Sequence, residues 1–380
     1  MEVIGIINSL SFLLTTLYVI VIIAFIRGWY KLSYNKTNDK QASTRVSILV
    51  AARNEEANIG KMIGDLLAQN YAKDLIEIVI INDHSTDRTA EIVGSFSNQG
   101  VKLINLNEDK PLNSYKKKAI QVAISKTKGE LIITTDADCK MGPSWVKTIV
   151  NYYETHHYKM ISAPVAYFEE KNLFEKCQSL EFSYLIGLGA ATIGNGQPST
   201  CNGANLAYER KAFEEVGGFK GIDDLASGDD ELLLHKMVAR YGHKIGFLKN
   251  RDAIVYTYAK PNLKELLQQR KRWASKSTKY KDKRIVALGI SIWLFNLSII
   301  ANAILALFFP LHFFWQILLF QFLVKNIIEA VFLIDIMSFF KRKQLLVLLP
   351  LLNIVHILYM VYIGVAGNSG KYNWKDRMVR

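Results

Sequence analysis

Apolar residues fall into long unbroken runs near both ends of this chain and into short runs, spaced by polar turns, between them. Residues 3–26 are almost wholly apolar and uncharged, a length that suits a membrane span. A cleaved leader carries its positive charge before the apolar core. Here only Glu2 precedes the core and the basic residues follow it. That order predicts an uncleaved anchor, N-terminus outside, with residue 27 onward in the cytosol.

Residues 46–260 read as a soluble domain. Val46–Ala52, Ile76–Ile81, Val101–Leu106 and Glu130–Thr135 are short apolar runs of strand length. Between them, Ile59, Met62, Ile63, Leu66 and Leu67 share one helical face, with Asn54 as a cap. Ser85, Thr86 or Asp87 caps a helix to about Phe96, and Tyr115–Lys126 forms another. Strands alternating with helices predict an α/β domain with a mostly parallel sheet. Segment 172–193 carries an apolar helical stripe beside Lys171, Glu175, Lys176 and Glu181. It reads equally as a core helix or as one lying in the membrane interface beside the active site.

Three more apolar segments follow, at 285–309, 311–337 and 344–366. The second contains Lys325, Glu329 and Asp335, which predicts that these charges face protein or water rather than lipid. Phe308, Phe309, Phe313, Phe314 and Trp315 around Pro310 read as an interfacial aromatic belt at a tight hairpin. Three spans after a cytosolic domain put the tail outside, whereas Lys371, Lys375, Arg377 and Arg380 favour the inside. A re-entrant or interfacial segment would remove the conflict. The expected organisation is an anchor (1–27), a basic linker (28–45), a cytosolic domain (46–284), a C-terminal membrane region (285–367) and a basic tail (368–380).

Charge sharpens this picture. The chain has 380 residues and a formal net charge of +13, but the excess is clustered. Residues 264–284 hold nine Lys/Arg against Glu265 and Asp282, and residues 27–45 hold five against Asp39. Both clusters abut apolar runs, which fits membrane topology and acidic lipid. No nucleic-acid recognition module accompanies them, so nucleic acid is not an expected partner. Cys139, Cys177 and Cys201 are odd in number and far apart, with no disulfide framework or zinc spacing.

Candidate chemistry sits just past the strands. Asp136-Ala137-Asp138 offers two carboxylates that can converge on a hard divalent cation, which commonly bridges phosphates. Strand ends of open α/β sheets are where ligands bind. Val46–Glu55 is a strand, a polar turn and a helix start, and a helix N-terminus favours anions. Asp83 follows the second strand, where an acceptor can pair with a pyrimidine N–H; Asp87 reads as a cap. Lys116, Lys117 and Lys118 open a helix against its dipole, which a nearby diphosphate would offset. Asp229-Asp230-Glu231 precedes an apolar helix and contains a candidate base. In Gln269-Arg270-Lys271-Arg272-Trp273, arginines can grip a diphosphate and the tryptophan can stack on a sugar.

In this order the pieces resemble the family 2 glycosyltransferases, of the membrane-embedded type that includes ceramide glucosyltransferases and hyaluronan and cellulose synthases. The resemblance covers residues 46–273 and rests on Val46–Asp87, Asp136–Asp138, Asp229–Asp230 and Gln269-x-x-Arg272-Trp273. It implies a GT-A fold flanked by transmembrane helices, and inverting transfer from a nucleotide sugar, with a UDP-sugar expected. It implies donor binding by Ala52, Arg53, Glu55, Asp83, Lys116 or Lys117, and Asp136. It implies a divalent metal, Mg2+ or Mn2+, on Asp136 and Asp138. Asp230 becomes the catalytic base with Asp229 beside it; Gln269, Arg272 and Trp273 close over the donor. Cys201, Asn202 and Gly203 line the acceptor channel, which Trp273 also faces. Tyr115 departs from the family, where glycine is usual. The expectation is an integral membrane enzyme with a cytosolic catalytic domain, in the plasma or inner membrane if bacterial, adding one sugar to a lipid or lipid-linked acceptor. A processive polysaccharide synthase and a non-catalytic sugar-nucleotide scaffold are the alternatives.

Overall fold

The computed structural model describes residues 2–35, 42–108, 112, 114–310, 312–366, 372–374 and 377–379. Linker positions 36–41, residue 311 of the expected third span, and the tail apart from short backbone stretches lie outside the described residues.

A long apolar helix, α1 (Glu2–Lys31), leads into an α/β layer. That layer comprises β1 (Val46–Ala52), α2 (Ile59–Leu67), β2 (Ile76–Asn82), α3 (Thr89–Gly94), β3 (Val101–Asn105), α4 (Tyr115–Ser125) and β4 (Leu131–Asp136). It continues with β5 (Lys140–Met141), α5 (Trp145–His156), β6 (Met160–Ser162), β7 (Val165–Tyr167), α6 (Leu173–Gly194), β8 (Leu206–Glu209) and α7 (Arg210–Glu215). Next come α8 (Glu231–Tyr241), β9 (Ile245–Phe247), β10 (Val255–Thr257) and α9 (Leu263–Ala274). The apolar helices α10 (Lys283–Phe308), α11 (Phe314–Phe339) and α12 (Leu349–Ala366) follow, then a hairpin of β11 (Tyr372–Trp374) and β12 (Arg377–Val379).

The main sheet has the order β3-β2-β1-β4-β8-β6-β9, and β5, β10 and β7 form a smaller one. β1, β2, β3 and β4 are parallel, while β8 runs antiparallel to β4 and β6. β1 and β4 are buried along nearly their whole length, so both faces are covered and the runs are continuous rather than alternating. The chain proceeds outward from β1 to β3 and then returns to place β4 on the other side of β1. That reversal is a switch point, which opens a crevice at the carboxyl ends of β1 and β4.

One expectation needs correction. Asn54 does not cap α2; Asn58 is the cap residue, and Asn54 sits at φ 53° with its side chain accepting from Thr86 N–H across the turn. Segment 172–193 forms α6, which packs on α1 and α11 while part of it faces the crevice. Its crossing with α1 is close enough that Cβ atoms are excluded. A Cβ on Gly28 would lie 2.0 Å from Ala191 O, and one on Gly194 would lie 2.1 Å from Gly28 O.

α1, α10, α11 and the segment Lys343–Ala366 are each long and apolar enough to cross a membrane. Their charged residues pair with one another: Lys325 lies 2.6 Å from Glu329, which also accepts from Tyr18 OH. Two cations of the α/β layer cap helix ends, whose last carbonyls lack intrahelical partners. Lys249 donates to Trp29 O (3.1 Å) and Leu32 O (3.2 Å), and Arg251 donates to Phe339 O (2.8 Å). The ends of α1 and α11 are thereby fastened to the same face of the domain.

Candidate active site

Strand register brings the first motifs together. Ala51 pairs with Asp136 across β1 and β4, and Ala52 pairs with Asn82 across β1 and β2. The three strands end level, so the residues just beyond them share one edge. Asp83 N–H donates to Ala52 O (2.8 Å), and Arg53 reaches across to Asp83 O (3.0 Å) and His84 O (2.9 Å). The antiparallel neighbour β8 begins where β4 ends, with Thr134 opposite Leu206. Thr134 Oγ1 donates to Gly203 O (3.2 Å), which draws Cys201–Gly203 to the same edge.

These elements surround a cavity of about 400 Å³. Ala52, Arg53, Glu55, Asp83, Lys116, Asp136 and Asp138 line it. Cys201, Asn202, Gly203, Asp229, Asp230, Gln269, Arg272 and Trp273 line it too, with α6 contributing Leu185, Ile186 and Gly189. Motifs up to about 220 residues apart in the chain therefore meet in one space.

Lys116 sits among the acids. Its Nζ lies 2.8 Å from Asp136 Oδ1 and 3.0 Å from Asp229 Oδ2. Burial alone would lower its pKa, but Asp136 and Asp229 outweigh burial and hold it above the usual lysine range. Burial likewise pushes Asp136 up, and the Lys116 charge brings it below the usual carboxylate range.

Lys117 is turned away and is not on the cavity wall, which corrects its expected place beside the donor. A helix rotates about 100° per residue, so adjacent lysines point in different directions. Lys117 Nζ donates to the carbonyls of Ile222 (2.6 Å), Leu225 (2.7 Å) and Ser227 (2.7 Å). Burial lowers its pKa to about 8. It anchors the loop that carries Asp229 and Asp230.

Asp230 is the N-cap of α8, and its carboxylate accepts from the Glu231 N–H (2.6 Å) and the Gly203 N–H (3.1 Å). Lys276 Nζ lies 3.3 Å from Asp230 and 3.1 Å from Glu231, which also accepts from Thr200 Oγ1 at 3.0 Å. Burial raises the Asp230 pKa, but Lys276, the Glu231 amide, Lys116 and the Gly203 amide together bring it down to about 2. Cys201 is pushed well up by burial and then by Asp230, so its thiol stays neutral.

The arginines of the last motif divide. Arg270 is buried, pairs with Glu181 at 2.8 Å and lies 4.3 Å from the Trp273 ring. It fastens α9 to α6 and does not line the cavity, which corrects its grouping with the diphosphate-gripping residues. Arg272 does line it. Gln269 Oε1 accepts from Arg270 at 2.8 Å. Trp273 packs toward Phe182, which stacks on Tyr167 at 4.3 Å. Arg88 is the cap residue of α3, and Asp87 just before it accepts from Thr89 N–H (3.0 Å) at the helix start and from Glu56 N–H (3.0 Å).

Lys276, Thr200 and Tyr167 line the cavity without having been picked out from sequence as site residues. Lys276 is hidden inside the basic run, and nothing in that run distinguishes it. Among the described residues, no three His, Cys, Asp or Glu side chains form a metal cluster. Asp136 and Asp138 fit a hard cation that takes one or two carboxylates and completes its shell with water and substrate phosphate.

The Glycosyl transferase family 2 model matches residues 47–217. The beta-monoglucosyldiacylglycerol synthase of Synechocystis sp. is 26% identical over 235 residues, which cover 60% of this chain and 47% of that protein. The probable glycosyltransferase YdaM of Bacillus subtilis is 28% identical over 295 residues, 70% of this chain and 68% of that protein. The alignment thus spans about half of the first relative and about two thirds of the second. The structure of the mannosyltransferase PcManGT from Pyrobaculum calidifontis, solved with GDP-Man and Mn2+, superposes with a TM-score of 0.62 at 17% identity. That superposition covers 93% of this chain and 99% of that one, and it shows the shared fold. Residues 47–217 therefore match the family 2 glycosyl transferase model, and they lie in a GT-A-like α/β layer with long apolar helices on its flanks.

Proposed function

We propose that this protein is an inverting membrane glycosyltransferase that moves one sugar from a nucleotide sugar, a UDP-sugar, to a lipid or lipid-linked acceptor. The observation that carries the proposal is the single cavity shared by Asp136, Asp138, Asp230, Arg272 and Trp273. Its apolar wall comes from α6, which packs on the long apolar helices. An acceptor with an apolar body can approach along that wall and present a hydroxyl to Asp230.

In this reading Glu55 and Asp83 hold the base and ribose, and Lys116 and Arg272 bind the diphosphate. Asp136 and Asp138 would hold a Mg2+ or Mn2+ ion, which would supply neutralisation of the charge developing on the leaving nucleoside diphosphate. Asp230 accepts the proton of the acceptor hydroxyl as the new glycosidic bond forms. Gln269, Arg272 and Trp273 cover the donor and exclude water that would hydrolyse it. Cys201, Asn202 and Gly203 flank the acceptor. The domain faces the cytosol, on the side of the basic residues after α1 and before α10.

The test is incubation of the purified protein with a panel of nucleotide sugars and membrane lipid extract, read by mass spectrometry. The expected product is a lipid heavier by one sugar. A ladder of products would replace single addition with processive synthesis. Donor binding without nucleotide release would replace the enzyme with a scaffold.

A further inference from the structure

We infer that α12 does not cross the membrane: it lies within the leaflet on the catalytic side, so the chain after it returns to the face of the α/β domain. The helices around it provide a depth scale. On the far side, Asn302 donates to Ser11 Oγ (2.9 Å) and Gln321 Oε1 (2.9 Å), joining α1, α10 and α11 in one layer. At mid-depth, Tyr18 stacks on Phe295 at 4.0 Å and bonds Glu329. At the domain side, Trp29 meets Phe339 at 5.8 Å, and Lys249 and Arg251 cap the helices there.

Both ends of α12 fall between the middle and the domain side. Its first residue, Leu349, clusters with Leu180 of α6 and with Leu333 and Met337 near the domain end of α11. Asn353 donates to Asn326 at 3.1 Å, at mid-depth. Its last turns come back toward the domain: Trp293 donates to Val361 O at 3.3 Å, and the Tyr362 ring lies 5.2 Å from Lys271 Nζ of α9. Trp293 lies on the domain side of Phe295 along α10. A helix crossing from the domain side must end level with the Asn302–Gln321 layer. α12 has 18 residues, about 27 Å at the usual rise, and turns both ends away from that layer. β11 packs against α9, which places the chain beyond α12 beside the domain as well.

The outward face of α12 carries Leu351, Val355, Leu358 and Val365, all exposed. α10 and α11 also carry exposed apolar residues, among them Leu294 and Ile327, and the occupant of the α12 face is the acyl chains of the catalytic-side leaflet. Three crossings then replace four, and Arg377 joins the basic residues of 264–284 on one side.

The test is side-specific labelling of single added cysteines in sealed vesicles with an impermeant maleimide, the parent chain giving the background. Lys128→Cys reports the α/β domain, His312→Cys the α10–α11 hairpin and Ser369→Cys the tail. Ser369→Cys labelling from the same face as Lys128→Cys, with His312→Cys labelling from the opposite face, is the expected result. Labelling of Ser369→Cys together with His312→Cys would overturn the inference. A reporter fused after Arg380, active on only one side of the membrane, repeats the assignment should a cysteine variant fail to fold. For the lipid contact, a Leu358→Cys spin label is expected to respond to quenchers in the acyl region. An intermolecular disulfide at Leu358→Cys would instead assign that face to a second copy.

Discussion

The Lys276 ammonium lies 3.3 Å from Oδ1 of Asp230, inside the cavity rather than among the solvated charges of its own basic run. The pair determines the resting state of the proposed base. With a pKa of about 2, Asp230 is ionised at any working pH, but it is also a weak proton acceptor. Acceptor binding that loosened the hold of Lys276 would make the proposed base a stronger proton acceptor.

Replacing Lys276 tests this. Burial raises the Asp230 pKa and Lys276 is the foremost influence lowering it, so Lys276→Met leaves burial opposed only by the Glu231 and Gly203 amides and Lys116. A lowered carboxyl stays ionised above its depressed pKa and is lost as pH falls through it. In the parent, Asp230 therefore contributes no acid limb above about pH 3. In Lys276→Met the acid limb of the pH–rate profile should move up by about 1–3 pH units, while Lys276→Arg keeps the parent profile. An unmoved limb in Lys276→Met would remove Lys276 from control of Asp230.

Asp230→Asn retains size and hydrogen bonding but cannot usefully accept a proton. Transfer should fall by ~10²–10⁴-fold. Donor affinity should persist, because the proposed donor contacts are Glu55, Asp83 and Asp136 rather than Asp230. Near-normal turnover would exclude Asp230 as the base, and lost donor binding would reassign it to the donor site.

Asp138→Asn weakens an oxygen site that has only two carboxylates. Transfer should disappear in Mg2+ and Mn2+ while the thermal transition of the extracted protein is retained. Excess chelator should abolish activity in the parent. Full activity in chelator would contradict the metal assignment.

Glu181→Ala leaves the buried Arg270 guanidinium without its partner. Breaking such a pair from one side costs ~3–5 kcal/mol. The thermal midpoint of the detergent-extracted protein should drop, and donor affinity should fall with it because α9 also carries Arg272 and Trp273. A parent-like midpoint would show that Arg270 is not what holds α9 to α6.

Gly28→Ala should weaken the α1–α6 crossing, since the new methyl would meet the Ala191 carbonyl, which belongs to the helix backbone. Forced overpacking of this kind costs ~1–3 kcal/mol. Thermal unfolding in detergent measures it, and unchanged stability would mean that the two helices separate without cost.

Much of the architecture was present in one dimension. Val46–Ala52 and Leu131–Asp136 had to be buried parallel strands because continuous apolar runs of that length, bounded by polar turns, need cover on both faces. Asp83 and Asp136 were legible as candidate site residues because polar groups just past such strands reach a common edge. The apolar lengths of α1, α10 and α11 were equally plain, since a bilayer sets a minimum run.

Choices between neighbours were made only in three dimensions. Lys116 and Lys117 are adjacent and identical in type, yet helix rotation sends one to Asp136 and the other to the 222–227 carbonyls. Arg270 and Arg272 divide in the same way between Glu181 and the cavity. The pairing of Lys276 with Asp230 spans 46 residues, and no local pattern encodes it. Hydropathy supplied the length of α12 but not its direction, because a run of apolar residues suits one leaflet or two. Packing against Trp293, Asn326 and Leu333 decided its course, since direction depends on where the partners lie.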